Sequence, residues 1–164
     1  MLLGMVIMSV HQQGYNHLRL SNLQDIEYLA PRLRFEDKRE IISALGVTPY
    51  EGLYFSFKNS TACFTIVNSK NIPLAIFGIN KNDCTIWLLA TEGLREVEKP
   101  FLRQCRELVN FLAKKHKILW NYVDCRNELH IKWLKWCGFK FLRKVNYGKL
   151  NQPFYEIVKI CVQE

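Results

Sequence analysis

Residues 119–139 run Leu119-Trp120-Asn121-Tyr122-Val123-Asp124-Cys125-Arg126-Asn127-Glu128-Leu129-His130-Ile131-Lys132-Trp133-Leu134-Lys135-Trp136-Cys137-Gly138-Phe139. They read as a buried strand, a polar turn, an amphipathic helix and a glycine-marked return into another strand. Trp120, Tyr122 and Val123 have the aromatic and β-branched character that suits a pleated, half-buried surface. Asp124 to Asn127 is turn chemistry, and Asn127 stands where its side chain can cap the helix that follows. Ile131, Trp133, Leu134 and Cys137 recur at helical spacing, Lys132 and Lys135 fall off that face, and Gly138 occupies the place of a left-handed C-terminal cap. Trp133 is expected in the core. Trp136 is expected at the surface.

Working outward, the chain alternates. Tyr15 to Leu20 reads as a short strand, and Ser21-Asn22-Leu23-Gln24-Asp25 opens a helix with Ser21 or Asn22 as cap. Ile26, Leu29 and Leu33 form its apolar face, interrupted at Pro31; Phe35 to Leu45 is a second helix ended by Gly46. Tyr50 to Asn59 is a short helix or a loop. Ala62 to Asn68 and Ile72 to Asn80 pair as a hairpin across Ser69-Lys70-Asn71, and Cys84 to Ala90 adds a third strand. Pro100 to Lys115 is a long amphipathic helix with Phe101, Leu102, Cys105, Leu108, Val109 and Leu112 on one face. After the 119–139 unit come strands from Phe139 to Val145 and from Phe154 to Val162. The division expected is an N-terminal extension over 1–14 and a single domain over 15–164, without repeats or low-complexity segments.

Composition bounds the function. The chain has 164 residues, 49% of them hydrophobic and 13% aromatic, enough for one globular core. Met1 to Met8 is apolar but short and lacks a basic leader, so neither a signal peptide nor a membrane span is expected. Six cysteines are scattered without a Cys-x-x-Cys pair, mostly inside apolar runs. That pattern suggests reduced thiols rather than disulfides or a metal site. The net charge of +8 raises the possibility of nucleic acid as a partner. Its carriers, Lys114-Lys115-His116-Lys117 and then Lys140, Arg143, Lys144 and Lys149, accompany no binding motif and read as a solvated basic face.

The spacing Asn127-x-x-His130-x-x-x-Leu134-x-x-x-Gly138-Phe139 resembles the late strand-helix-strand segment of the GCN5-related N-acyltransferase (GNAT) fold. Asn127, Gly138 and Phe139 agree with it, whereas His130 stands where the family has a small residue and Leu134 where it has a Tyr. The element order from Tyr15 onward is also similar to that fold. The fold class implied is α/β (α+β), with a mixed, mostly antiparallel central sheet flanked by helices. More narrowly, Ala30-Pro31-Arg32 with Asp37 and Glu40, Pro73 to Gly78, Trp87 to Thr91, Asn121 to Asp124, Trp133 to Phe139, and Pro153-Phe154 resemble small tailed-phage GNAT-like proteins of unknown function. Some of these are described as internal virion (core) proteins.

The GNAT resemblance implies acetyl-CoA as cofactor, with its pyrophosphate held by backbone N–H groups of a glycine-rich loop at the start of the long helix. Leu94 to Arg103 contains no glycine and places Glu96, Glu98 and Pro100 there instead. The resemblance leaves Leu89, Thr91, Arg95, Lys99, Arg103 and Asn127 as the candidate cofactor-binding residues. Leu134 cannot donate a proton in place of the family's Tyr, which leaves Tyr122 and His130 as acid candidates and Glu40, Asp37 and Asp124 as base candidates. Cys125 near His130 is the thiol-imidazole pair to check. Three function classes follow: a phage GNAT-fold protein with a degenerate acyl-CoA site and a virion or assembly role, an active N-acetyltransferase, or a basic-face binder of nucleic acid or host protein. The setting implied is the host cytoplasm or the virion interior, with other phage proteins as partners.

Overall fold

The computed structural model describes residues 17–161, and within them all side chains except those of Glu98, Pro100, Phe101 and Leu102. The 1–14 extension, Tyr15, Val162 and the apolar positions 101 and 102 therefore lie outside the described residues. The chain begins with β1 (Leu18–Leu20), α1 (Leu23–Leu29), a 3-10 turn (Ala30–Arg32), α2 (Phe35–Leu45) and α3 (Pro49–Lys58). A meander of β2 (Ser60–Val67), β3 (Pro73–Asn80) and β4 (Ile86–Ala90) follows. A second 3-10 turn (Glu92–Val97) leads into α4 (Glu98–His116), then β5 (Ile118–Asp124), α5 (Glu128–Trp136), β6 (Lys140–Tyr147) and β7 (Gln152–Ile160).

Local chemistry explains most of the boundaries. Asn22 caps α1 through a reciprocal box: Asp25 N–H donates to Asn22 Oδ1 at 3.1 Å, and Asn22 N–H donates to Asp25 Oδ2 at 2.9 Å. Pro31 bends the chain out of α1, and Gly46 closes α2 at φ 68°. The segment that sequence left between helix and loop is α3. Thr48 and Glu51 form a second capping box, with Pro49 at the first helical position. The strand expected from Cys84 starts later, at Ile86, because Cys84 adopts φ 61° and belongs to the turn.

The strands form two antiparallel sheets, β1-β2-β3-β4 and β5-β7-β6. Thr85 and Trp120 make a parallel bridge between the start of β4 and the start of β5, where Asn121 Nδ2 also donates to Ile86 O at 2.7 Å. Beyond that point the register stops and the two strands splay apart. α4 packs Cys105, Leu108, Val109, Leu112 and Ala113 onto Phe64, Phe77 and Leu119, forming the main core with Leu134 of α5 and Cys137 at its C-terminal cap. A second core on the other face joins Ile26, Leu29, Ile41 and Leu53 to Ile76 and Leu89. This is the mixed, mostly antiparallel sheet flanked by helices expected from sequence.

Gly148 ties the last hairpin to α2. At φ 79°, a Cβ there would lie 2.5 Å from Ala44 Cα, so only glycine lets the turn approach. The turn then supplies Lys149 N–H to Ala44 O and Leu150 N–H to Ser43 O, satisfying carbonyls at the end of α2.

Candidate functional site

The opening between β4 and β5 is where a ligand could reach strand edges, and the structure fills its wide end with the chain itself. Leu33 bridges Thr91, Arg34 N–H donates to Ala90 O at 2.9 Å, and Ala90 N–H donates to Asp37 Oδ2 at 2.9 Å. Arg34 Nε and Nη2 clasp Asp37 Oδ2 and Oδ1 at 3.0 and 2.8 Å, and both side chains are buried. An exposed edge that accepts an extended ligand, as the splay alone suggests, is thus absent at Ala90. Strand alternation turns Leu88 to the opening and Leu89 toward Ile76 of β3.

Four of the candidate residues converge beside this plug. Asn127 Nδ2 donates to Asp37 Oδ1 and to Glu40 Oε2, each at 3.0 Å. Asp124 N–H reaches Glu40 Oε2 at 3.4 Å, and His130 Nδ1 lies 3.9 Å from Glu40 Oε1. The capping role expected of Asn127 is corrected: it holds the N-cap position of α5 but makes no side-chain cap bond, because its amide is taken by two carboxylates of α2. Its Oδ1 and His130 Nδ1 are buried without hydrogen-bond partners.

Asp124 is fully buried and clasped by Arg126 through Nε at 2.9 Å and Nη2 at 2.6 Å. Burial would raise its carboxyl, but the Arg126 guanidinium and backbone N–H outweigh burial and hold it below the usual range. Asp37 has its oxygens occupied, as described. Tyr122 stacks on Tyr147 at 4.0 Å between ring centres, with Trp120 edge-on at 5.8 Å. Cys125 has its thiol pushed up by burial, while His130 faces Glu40 and Trp133, so the Cys125–His130 pairing does not form. Among the described residues a thiol-imidazole contact runs from Cys84 Sγ to His116 Nδ1 at 3.7 Å, which sequence distance hid.

The remaining cofactor candidates are dispersed. Thr91 Oγ1 donates to Leu74 O at 2.8 Å, and Arg95 pairs with Glu92 at 3.7 Å on the surface. Lys99 and Arg103 are exposed on the first turns of α4. Gly93, one residue before Leu94, sits in the 3-10 turn, and a Cβ there would meet Leu74 Cδ2 at 2.8 Å. The cavity on this side, bounded by Arg34, Thr91, Arg95 and Trp133, has about 50 Å³. A larger cleft of about 270 Å³ opens on the α2–α3 side, lined by Trp87, Trp120, Tyr122 and Tyr147 together with Glu40 and His130.

Among the described residues no group of three or more acidic, His or Cys side chains could hold a metal, and no helix is long and apolar enough to cross a membrane. Of the basic positions, Arg143 Nε is paired with Glu156 Oε2 at 2.6 Å, and Lys114, Lys115 and His116 form the last turn of α4.

Solved proteins share this fold. Spermidine N-acetyltransferase from Vibrio cholerae, solved with CoA and spermine, is similar over 87% of this chain and 94% of its own, with TM-score 0.62 at 12% identity. The ribosomal-protein-S18-alanine N-acetyltransferase from Escherichia coli covers 90% of this chain and 94% of its own, with TM-score 0.60 at 13% identity. At such identities the likeness is one of GNAT fold alone. Sequence likeness lies with phage: the probable scaffold protein gp13 of Escherichia phage T7 is 29% identical over 102 residues, 60% of this chain and 67% of that protein. The family described as "Bacteriophage T7, probable scaffold protein Gp13" matches residues 63–145, from β2 through most of β6. That match spans just over half of the 164 residues, and the chain belongs to the phage T7 gp13 family of probable scaffold proteins.

Proposed function

We propose that this protein is a GNAT-fold assembly factor of a tailed phage, acting through contacts with other phage proteins in the host cytoplasm or virion interior, with its acyl-CoA site degenerate. The observation that carries this reading is the Arg34–Asp37 pair seated on Ala90. Those groups occupy the β4 edge that an extended pantetheine chain would need for backbone pairing. Two further features support it. Leu134, at the position of the family's acid, is 2% exposed and packed in the core. The turn before α4 carries Glu92 and Glu96 where a pyrophosphate would need cations and free N–H groups.

The residues present therefore do not fit acetyl-CoA, and no acyl-transfer step is assigned to them. Calorimetry with acetyl-CoA at near-physiological salt tests the reading. The expected result is no saturable heat up to millimolar ligand. Micromolar binding that disappears when Arg95 and Lys99 are replaced would restore an acetyltransferase.

A further inference from the structure

We infer that the cleft between α2, α3 and the β4–β5 junction receives the guanidinium of an arginine presented by a segment of a partner phage protein. The inference rests on the preceding reading of the chain as an assembly protein and names the partner chemistry.

Size sets the first limit. At about 270 Å³ the cleft falls just below the roughly 300–1,000 Å³ of sites for whole small molecules, and suits a single long side chain. Its walls are aromatic. Tyr122 and Tyr147 stack on each other at 4.0 Å, with Trp120 set against Tyr122 and Phe154 against Tyr147 in T-shaped contacts, and this packed aromatic cluster offers the rim of a π wall to a planar cation.

The polar groups select the charge. Three donors along the wall are already spent inward: Trp120 Nε1 on Asp83 O at 2.7 Å, Trp87 Nε1 on Ser60 Oγ at 3.0 Å, and Asn121 Nδ2 on Ile86 O at 2.7 Å. The lining also carries the hydroxyls of Ser56, Tyr122 and Tyr147 and the Asn80 amide, and its formal charge comes from the carboxylates of Glu40 and Asp83. Among the described residues no Lys or Arg lines the cleft, in a chain with 23 Lys and Arg against 15 Asp and Glu. This is a carboxylate-bearing niche on a basic protein.

His130 supplies an independent sign. It is 8% exposed, reaches the cleft, and keeps a buried Nδ1 without a partner 3.9 Å from Glu40 Oε1. That unpartnered nitrogen beside the Glu40 carboxylate is a polar point of the cleft that the chain itself leaves unsatisfied. An ammonium is a compact, strongly hydrated point charge and gains less from the aromatic walls. Leu45 and Phe55 line the mouth and are exposed, giving an apolar ledge for the partner residue that follows the arginine.

The test is an NMR titration of the full chain with Nα-acetyl-arginyl-leucine amide, alongside its citrulline and lysine counterparts. The arginine probe is expected to shift the Trp87 and Trp120 indole resonances saturably, the lysine probe to bind more weakly, and the citrulline probe not to saturate. Asp83→Asn keeps an oxygen for the Thr85 N–H and hydroxyl, so the turn persists, and it is expected to weaken arginine binding about tenfold. Unchanged affinity in folded Asp83→Asn, equal binding of citrulline or lysine, or shifts confined to other surfaces would overturn the inference. Concentration-dependent self-association relieved by the probe would place a second copy in the cleft and overturn the partner assignment. A parallel acetyl-CoA titration separates the two readings. CoA binding strikes the functional proposal, whereas loss of arginine selectivity without CoA binding strikes this inference alone.

Discussion

Asp37 on α2 accepts the Ala90 N–H at 2.9 Å, joining residues 53 positions apart and placing a buried carboxylate on the β4 edge beside the Arg34 N–H that Ala90 O accepts. The same carboxylate holds Arg34 and Asn127. Removing it strands a buried guanidinium and two donors. Asp37→Ala is expected to lower stability by about 3 to 5 kcal/mol, the range for breaking a buried pair from one side. Urea unfolding checks this, and a loss below about 1 kcal/mol would remove the keystone role from Asp37.

Asn127 separates capping from bridging. Because its amide donates to Asp37 and Glu40 rather than accepting from the α5 backbone, Asn127→Ala should cost about 1 to 3 kcal/mol, the range for losing hydrogen bonds to buried charged groups. Asn127→Ser, a good helix cap, should not recover the loss. Recovery by serine in the same unfolding measurement would return Asn127 to the capping role.

Acid should unfold the protein through two aspartates. Burial would raise the Asp25 carboxyl, but the Arg19 guanidinium, Asn22 N–H and Thr65 hydroxyl outweigh burial and lower it. Asp124 is likewise lowered. A folded pKa below the unfolded value means stability that is complete above about pH 4 to 5 and lost as pH falls through the folded value. Chemical unfolding between pH 7 and 3 should therefore show a fall confined to the acid end, shallower in Asp124→Asn than in the parent. An equal slope in both would exclude Asp124 from the transition.

The thiols should divide into two classes. Burial pushes Cys63 and Cys137 up to about 12 and raises Cys105 as well, whereas Cys84, Cys125 and Cys161 are half-buried. A chromogenic disulfide reagent at pH 8 should titrate only the half-buried thiols in the native protein and all six cysteines after unfolding. Rapid native labelling of Cys105 would contradict the packing of α4 on the sheet.

Features set by neighbours in sequence were legible beforehand, and those set by distant partners were not. Phe35 to Leu45 with Gly46 carries its boundaries in local periodicity and a left-handed stop, and the Asn22–Asp25 box is a four-residue pattern. Thr48-Pro49-Tyr50-Glu51 carries the same kind of local signal for α3. The candidate site behaves differently. Asn127 has the composition of a cap, yet its partners lie 90 and 87 residues away, and nothing local shows that two carboxylates will arrive there. The Tyr122–Tyr147 stack and the Cys84–His116 contact depend on register in the same way.

The seat of Gly148 against Ala44 also has a consequence for how the chain matures. The carbonyls of Ser43 and Ala44 receive their N–H partners from Leu150 and Lys149, more than a hundred residues later. During synthesis the first helices therefore leave the ribosome with that end unsealed, and remain so until the final hairpin has emerged. Translation-arrest force profiling should register the last folding event only once residues beyond 150 have cleared the exit tunnel, and Gly148→Ala should weaken that late event while leaving earlier ones in place.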